Sequence, residues 1–512
     1  MKPTFLAFAL LFAVIELATL ASASEYFCIE ITDETTGRGV PLVRLETTDK
    51  NVFYTDSNGL VAFNEPGLMN MSVWFSISSH GYEFPHESFG LRGIALKTVP
   101  DTSSRLKLRR VNIAERMYRV TGRGIYRDTI LLGQKPPIEF GALNGNIIGQ
   151  DSVLTAICND KLFWFWGDTN RPNHPLGNFL TTGATSALPG KGGLDPSVGV
   201  NFKYFTDPKS GFAKPMFPGL KGPVWIDAVM TIKNDAGNDL ILSRYSRVDK
   251  DMKPIESGLA VFSESETQFK LLSPIPPDSK LAPAGHPFHV TLDAQDYVYF
   301  PAPYPCIRVK SDWKSVTTLG DYEGFTCLKE GTVYVKKAAQ LDRGADGKLV
   351  WTWRKDTGVL KPSEIDELVS SGQIKRDEVP FRLRNADDKK PIHLHNSTVY
   401  WNDYKKKWLM IGVQSYGDSF LGEVWYAESS APEGPWVEAK KIATHAKKHE
   451  NQDFYNPTQH PYFAQDGGRF IFFEGTITNT FSGSPYAIPT YDYNQMMYRL
   501  DLADSRLKMP GN

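Results

Sequence analysis

The sequence is poor in features that define several large protein classes. Four cysteines among 512 residues are too few for a disulfide-built scaffold. Lys plus Arg (57) nearly cancels Asp plus Glu (58), so the net charge is -1 and no long-range field attracts a nucleic acid. After residue 23 no apolar run approaches the roughly 20 residues of a spanning helix. We therefore expect neither a nucleic-acid partner nor a membrane span.

The composition is that of a packed globular protein rich in rings. Hydrophobic residues make up 41% of the chain and charged residues 22%, which excludes a disordered chain. Aromatic residues reach 12%, with 11 Trp, 22 Tyr and 30 Phe. Such residues favour sheet cores and also surfaces that stack on sugar rings.

The N-terminus has the pattern of a secretory signal. Lys2 precedes an apolar run up to Leu20, and Ala21-Ser22-Ala23 fits a small-residue cleavage site. We predict a signal peptide over residues 1–23 and a secreted or periplasmic mature protein. In such an oxidising compartment Cys306 and Cys327 form a disulfide or, alternatively, all four cysteines stay buried thiols.

Residues 24–112 alternate short apolar runs with turn residues, which is typical of a small β-sandwich. Thr36-Gly37, Val40-Pro41, the turn cluster Thr55-Asp56-Ser57-Asn58-Gly59, and Gly81-Tyr82 follow in an order that resembles the carboxypeptidase-regulatory-like, or transthyretin-like, module. The resemblance implies an accessory role. Residues 113–138 show little periodicity, and we expect a linker strap there.

From residue 139 to 505 one unit recurs five times, which predicts a five-bladed β-propeller. Each copy opens with polar residues and continues through an apolar strand, a turn and a second strand. The copies open at Gly149-Gln150-Asp151, Trp225-Ile226-Asp227, His286-Pro287-Phe288-His289, His395-Asn396-Ser397 and Tyr455-Asn456-Pro457. The predicted second strands are 161–166, 239–243, 297–301, 408–413 and 469–474. We predict one helix, capped by Ser363 and ending at Gly372.

The first strand of each blade lines the central channel, so the opening residues converge at one end of the axis. In the first copy Asp151 and Asp168 lie 17 residues apart, and a hairpin of that length brings the second beside the first. Two carboxyl groups flanking a bond are the machinery of glycoside hydrolysis. Asp227 is a third acid, which orients substrate or tunes a pKa.

Further polar and aromatic residues near the same rim are candidates for substrate binding. Trp225 and Tyr455 adjoin opening residues and are stacking candidates, and Arg244 is a candidate for binding an acidic group. The remaining candidates are His286, His289, His395, Asn456 and His460.

Two resemblances sharpen these expectations. Gly149-Gln150-Asp151 paired with Gly167-Asp168-Thr169 looks like the domain of unknown function 4185 group, and this likeness implies that Asp151 and Asp168 are catalytic. The segment 422–436, ending Pro432-Glu433-Gly434-Pro435-Trp436, is similar to glycoside hydrolase families 43, 32 and 117. Family 43 implies Asp151, Asp227 and a general-acid Glu at the third opening. His286 and His289 stand there instead, and Glu474 is a candidate replacement.

Three functions are consistent with these patterns. The first is a secreted glycoside hydrolase acting on a polysaccharide or oligosaccharide. The second is a polysaccharide lyase assisted by a divalent cation, Ca²⁺ or similar, held in the channel by His286, His289, His395 and His460. The third is a non-catalytic propeller that binds a glycan.

Overall fold

A computed structural model describes residues 24–86, 90–173, 180–251, 253–447, 452–482 and 491–509. The predicted signal peptide lies outside these described residues. Within them, no helix is long and apolar enough to cross a membrane.

The N-terminal part is a sandwich of two four-stranded sheets. Alternate side chains from both sheets fill one core, which contains Ile29, Phe63 and Phe75. One sheet has the order β4-β1-β8-β6 and the other β3-β2-β5-β7. The strands are β1 (Phe27–Asp33), β2 (Arg44–Thr47), β3 (Val52–Tyr54), β4 (Leu60–Phe63), β5 (Ser72–Ser78), β6 (Tyr82–Glu83), β7 (Gly93–Lys97) and β8 (Ser103–Arg110).

The segment predicted as a linker differs from that expectation. It contains strand β9 (Glu115–Arg119), which is the outer strand of the last sheet of the chain, and helix α1 (Arg127–Leu131). All five residues of β9 are buried. The lack of alternation in this segment therefore did not exclude a strand, because a strand buried on both faces shows no alternation of polar and apolar residues.

The next strands form the first two blades. A two-stranded ladder, β10 (Gly149–Gln150) with β13 (Thr169–Asn170), extends the first blade. That blade is β11 (Leu154–Cys158), β12 (Lys161–Trp166), β14 (Thr182–Ala187) and β15 (Lys203–Tyr204). The second is β16 (Val224–Lys233), β17 (Asp239–Val248), β18 (Pro254–Ser263) and β19 (Gln268–Pro274).

Three more blades follow, and β9 completes the last of them. The third is β20 (Phe288–Leu292), β21 (Gln295–Pro301), β22 (Pro305–Lys310), β23 (Glu323–Thr326) and β24 (Thr352–Lys355). The fourth is β25 (Phe381–Asn385), β26 (Leu394–Asn402), β27 (Lys407–Gln414), β28 (Val424–Ser429) and β29 (Trp436–Ala443), with β25 parallel to β29. The fifth is β30 (Asp453–Gln459), β31 (Phe470–Thr478), β32 (Asn494–Asp501) and β9.

The five sheets form a closed five-bladed β-propeller, as the repeat predicts. Each predicted second strand lies in the second strand of its sheet, namely β12, β17, β21, β27 and β31. A hydrophobic cluster joins every successive pair of blades and also joins the fifth to the first. Representative pairs are Phe165 with Val229, Met230 with Val298, Tyr299 with Met410, Ile411 with Phe473, and Phe472 with Trp164.

The insertion between the third and fourth blades holds the longest of the described α-helices, α3 (Pro362–Ser370). Its N-cap is Lys361, two residues earlier than expected, and the Glu364 carboxylate accepts a 2.8 Å hydrogen bond from the Lys361 backbone N–H. The Ser363 cap was therefore wrong, because Pro362 already supplies the helical φ of the first position. Helices α1 and α2 (Trp313–Thr317) were not predicted.

The sandwich packs on the fifth blade and on α1. Leu42 joins the cluster between the fourth and fifth blades. The Asp56 carboxylate accepts hydrogen bonds of 2.7 Å from both the N–H and the hydroxyl of Thr129. All four cysteines are free thiols, and Cys306 and Cys327 are buried.

Candidate active site

The opening residues of the blades sit where the inner strands are irregular. The pairing of β16 with β17 shifts register after Asp227, and that of β30 with β31 shifts after Tyr455. Asn456 and Ser152 have left-handed φ values of 51° and 48°. Bulges of this kind re-aim side chains and are common beside active sites. The polar side chains at the openings are thus turned out of the regular pleat.

Asp151 and Asp168 face each other across the first hairpin. Gln150 pairs with Thr169 and Leu154 with Phe165, and this shared register places Asp151 opposite Asp168. The Asp151 N–H donates to the Asp168 carbonyl at 3.1 Å. Residues directly opposite in an antiparallel pair have Cβ atoms about 5 Å apart. The hairpin thus brings the two predicted carboxylates together.

Gly167 makes room for the Asp151 carboxylate. A Cβ atom at residue 167 would lie 2.3 Å from Asp151 Oδ1. Only a residue without a side chain leaves that carboxylate in place, which explains the glycine that precedes Asp168.

Three aromatic side chains hold the two carboxylates. The Tyr455 hydroxyl donates to Asp151 Oδ2 at 3.0 Å, and Trp225 Nε1 donates to Asp168 Oδ1 at 3.3 Å. The Tyr493 hydroxyl lies near both carboxylates and lowers the pKa of each. Burial raises the pKa of the Tyr493 phenol well above its usual range, so it remains a proton donor. Tyr455 and Trp225, which the sequence predicts as stacking residues, therefore orient the two carboxylates.

The two carboxyl groups are electrostatically unequal. Burial raises the pKa of Asp151 to about 6, and the hydrogen bonds from Tyr493 and Tyr455 oppose the rise. Burial, and then the negative charge of Asp151, raise the pKa of Asp168 to about 7. Two carboxyls whose environments separate their pKa values suit one acid and one carboxylate. Asp168 is the one that holds a proton near neutral pH.

Asp227 is fixed by the backbone of its own strand and of the segment that precedes the third blade. Its Oδ1 accepts hydrogen bonds of 2.9 Å from the N–H groups of Ala228 and Gly285. Arg244 lies opposite Asp227 in the β16–β17 ladder. Burial raises the pKa of Asp227 to about 6, and the positive charge of Arg244 opposes the rise. Trp225, two residues earlier on the same strand, connects Asp227 to Asp168.

Amide side chains link the openings of the last two blades to the first. Asn396 Nδ2 donates to Asn456 Oδ1 at 3.2 Å, and Asn456 Nδ2 donates to Ser152 Oγ at 2.5 Å. His286 lies deeper, 3.4 Å from the Thr458 hydroxyl. Burial, and then the charge of His460, lower the pKa of His286 to about 4. His286 is therefore neutral, and it faces the channel lining.

Glu474 is not part of the acid cluster. The side chain is 0% exposed, and its Oε1 pairs with His460 Nε2 at 2.8 Å. His460 in turn packs on Trp164, between the fifth and first blades, and bonds the Tyr462 hydroxyl at 2.6 Å. A carboxylate enclosed in this way has no access to a sugar. The structure thus offers no support for Glu474 as an acid or for His460 as a substrate ligand, because both side chains point into the core.

The other predicted residues are dispersed. His289 is exposed and bonds the Ser311 hydroxyl at 3.1 Å, and His395 is exposed at the start of β26. Arg244 donates to Ser257 Oγ at 3.1 Å, next to Asp227. Among the residues that the structure describes, no group of three His, Cys, Asp or Glu side chains is placed to hold a metal ion.

The sequence reading missed Tyr493. It lies just before β32, in Tyr491-Asp492-Tyr493, and its backbone has a left-handed φ of 59°. A non-glycine residue in this region is uncommon and accumulates at functional sites. The aromatic-rich segment is visible in the sequence. Its proximity to Asp151 is not, because the two residues lie far apart along the chain.

Comparisons with known proteins add the following. No family model matches the chain. No curated protein matches it either. Solved structures that it resembles include three glycoside hydrolases. A GH43_1 enzyme from Xanthomonas citri complexed with xylotriose is 11% identical over 69% of this chain and 87% of that chain, with a TM-score of 0.33. A thermostable family-43 glycoside hydrolase is 14% identical over 71% of this chain and 93% of that chain, with a TM-score of 0.32. An exo-beta-1,3-galactanase from Phanerochaete chrysosporium with galactose is 8% identical over 77% of this chain and 66% of that chain, with a TM-score of 0.36. These TM-scores are too low to support the fold assignment, which rests on the order of the sheets and on the packing between blades.

Proposed function

We propose that this protein is a glycoside hydrolase that cleaves a polysaccharide or oligosaccharide at the mouth of its propeller. One observation carries the proposal: Asp151 and Asp168 face each other across one hairpin, and Asp168 has the higher pKa. Glycosidases of both stereochemical classes use two such carboxyl groups, one protonated and one ionised.

The geometry assigns a role to each acid. Asp168, protonated near neutral pH, donates its proton to the glycosidic oxygen as the bond to the anomeric carbon breaks. Asp151, held ionised by the hydroxyls of Tyr455 and Tyr493, faces the positive charge that develops on the sugar ring. Water completes the reaction by adding its oxygen to the anomeric carbon and giving one proton to a carboxylate of the pair, so that the pair again holds one proton. Asp227 accepts hydroxyl hydrogen bonds and orients the sugar.

We infer that this activity is exported. The predicted signal peptide over residues 1–23 supports export, and the sandwich resembling a carboxypeptidase-regulatory-like module supports an accessory role beside a catalytic propeller. We include both in the proposal.

A panel of plant, algal and bacterial polysaccharides tests the proposed reaction. We expect the protein to release saturated oligosaccharides or monosaccharides with new reducing ends from at least one of them. Products that carry a double bond and absorb in the near ultraviolet would instead identify a lyase. No release from any polysaccharide, with the protein folded, would contradict the proposal.

A further inference from the structure

Three exposed aromatic side chains form a group that adjoins Tyr455. Tyr416 is 79% exposed, Phe481 50% and Phe420 39%. Single exposed apolar residues are ordinary on protein surfaces, but a contiguous group of large rings marks a binding surface.

The rings form a continuous series that begins at Asp151. Tyr455, whose hydroxyl bonds Asp151, has its ring centroid 5.9 Å from that of Phe481. Phe481 lies 6.3 Å from Phe420, and Phe420 lies 5.0 Å from Tyr416. We call Tyr455, Phe481, Phe420 and Tyr416 the aromatic ridge. Its inner end is 7% exposed, and its outer end is the most exposed residue of the series.

A buried carboxylate holds the two segments that carry the ridge. Asp453 is 0% exposed. Its Oδ1 accepts a 3.1 Å hydrogen bond from the Leu421 N–H, and its Oδ2 accepts a 3.0 Å bond from the Phe481 N–H. One side chain thus ties the β27–β28 connection to the end of β31, and both are tied to the strand that carries Tyr455.

The β27–β28 connection is also fixed internally. The Tyr416 N–H donates to the Phe420 carbonyl at 2.9 Å. The buried Glu423 carboxylate accepts from the Ser419 N–H at 3.3 Å. These hydrogen bonds hold the segments that carry the exposed rings in fixed positions.

The geometry points to a glycan chain as the ligand of the aromatic ridge: we propose that sugar units next to the cleaved bond stack on Phe481, Phe420 and Tyr416. Sugar rings present C–H faces to aromatic faces, and the ridge begins at Tyr455, which bonds Asp151, so a chain bound at Asp151 can continue along it. The nearby charges Asp418 and Lys441 pair at 3.3 Å, so the surface suits an uncharged stretch of glycan. The inference rests on the proposed function for its ligand and specifies a polymer as the substrate.

Binding by a cleavage-deficient protein tests the ridge separately from catalysis. The parent protein carries Asp168→Asn alone. One ridge variant adds Tyr416→Ala and Phe420→Ala to the parent, and a second ridge variant adds Phe481→Ala. Tyr404→Ala is the matched control, since Tyr404 is 46% exposed on the hairpin at the far end of β26. Retardation in gels containing soluble arabinan, arabinogalactan, xylan or laminarin gives the affinity.

We expect at least one polysaccharide to retard the parent and the Tyr404→Ala control equally. Each ridge variant should bind that polysaccharide about tenfold more weakly, the scale of losing central aromatic contacts in an interface. Equal binding by parent and ridge variants would overturn the inference, as would no retardation by any of the four polysaccharides. Weaker binding by the ridge variants, with no hydrolysis by the wild-type protein, would retain the ridge and reject the proposed reaction.

Discussion

At the scale of single residues, the environments of Asp151 and Asp168 determine which one holds the proton. Asp151 accepts the Tyr455 hydroxyl, whereas Asp168 accepts only the weaker, 3.3 Å bond from the Trp225 indole besides the shared Tyr493. Hydrogen bonds to an ionised carboxylate favour that form, and a neighbouring negative charge opposes it. The same surroundings therefore make one acid a proton donor and the other a carboxylate.

A bell-shaped pH profile follows from the two pKa values. The proposed reaction uses ionised Asp151, so kcat/KM should fall as the pH drops below about 6. It also requires Asp168 protonated, so kcat/KM should fall as the pH rises above about 7. Tyr455→Phe removes a bond to ionised Asp151, raises the pKa of Asp151 and should move the acidic limb to higher pH.

The matched variant acts on the other limb. Trp225→Phe removes a bond to Asp168, raises the pKa of Asp168 and should move the alkaline limb to higher pH. Profiles of kcat/KM against pH for the wild type and both variants check the assignment. The roles would have to be exchanged if Tyr455→Phe shifted the alkaline limb and Trp225→Phe the acidic one.

At the scale of elements, the first hairpin was readable because its information is local. Asp151 and Asp168 belong to adjacent strands, and their spacing alone sets their register. Tyr493 has no such signal, because only the closure of the propeller brings it to the hairpin. Glu474 was misleading for a related reason: a Glu in an apolar strand looks like a strand-end acid, but its partner His460 is visible only in three dimensions.

The hairpin also predicts the effect of a single methyl group. Gly167→Ala would place Cβ 2.3 Å from Asp151 Oδ1 and push that carboxylate aside. Misplacement of a catalytic group by about 1 Å can cost roughly 100-fold in rate, and we expect a loss of that order in kcat, with little change in the unfolding temperature. Gly219→Ala is the control, because nothing lies within 4 Å of its Cβ position. Full activity in Gly167→Ala would show that the reaction does not depend on the position of the Asp151 carboxylate.

At the scale of the whole molecule, the chain closes the propeller with a strand from before the first blade. Strand β9 pairs with β32, and Glu115 forms a 2.6 Å ion pair with Arg499, which is 384 residues away. The Tyr118 hydroxyl donates to the Pro196 carbonyl at 2.7 Å, near the first blade. The five repeats were sufficient to predict the blade number, whereas this closure was not predictable, because its partner is so distant in sequence.

The most informative stability comparison concerns β9. Chains beginning at residue 113 and at residue 121 both lack the sandwich and differ only in the strand. Met117 and Tyr118 are buried, and burying such side chains stabilises by about 1.5–3 kcal/mol each. We expect the shorter chain to lose at least about 3 kcal/mol of unfolding free energy in urea denaturation, or to be insoluble. Equal stability of the two chains would refute the role of β9 in closure.

The structure also shows where the aromatic residues lie in the whole molecule. Many rings, such as Trp164 and Trp166, are buried between blades. A few rings remain at the mouth, where Trp225, Tyr455 and Tyr493 hold the acids and the aromatic ridge leads outward.

The most direct test of the central claim is the turnover of Asp168→Asn and Asp151→Asn on a polysaccharide that the wild type cleaves. Each substitution keeps the shape of the side chain but removes the carboxyl group, and we expect kcat to fall at least about 100-fold in each with unchanged unfolding temperatures. Asp160→Asn, exposed at the β11–β12 turn of the same blade, should retain wild-type activity. Wild-type turnover in both Asp151→Asn and Asp168→Asn would contradict the account.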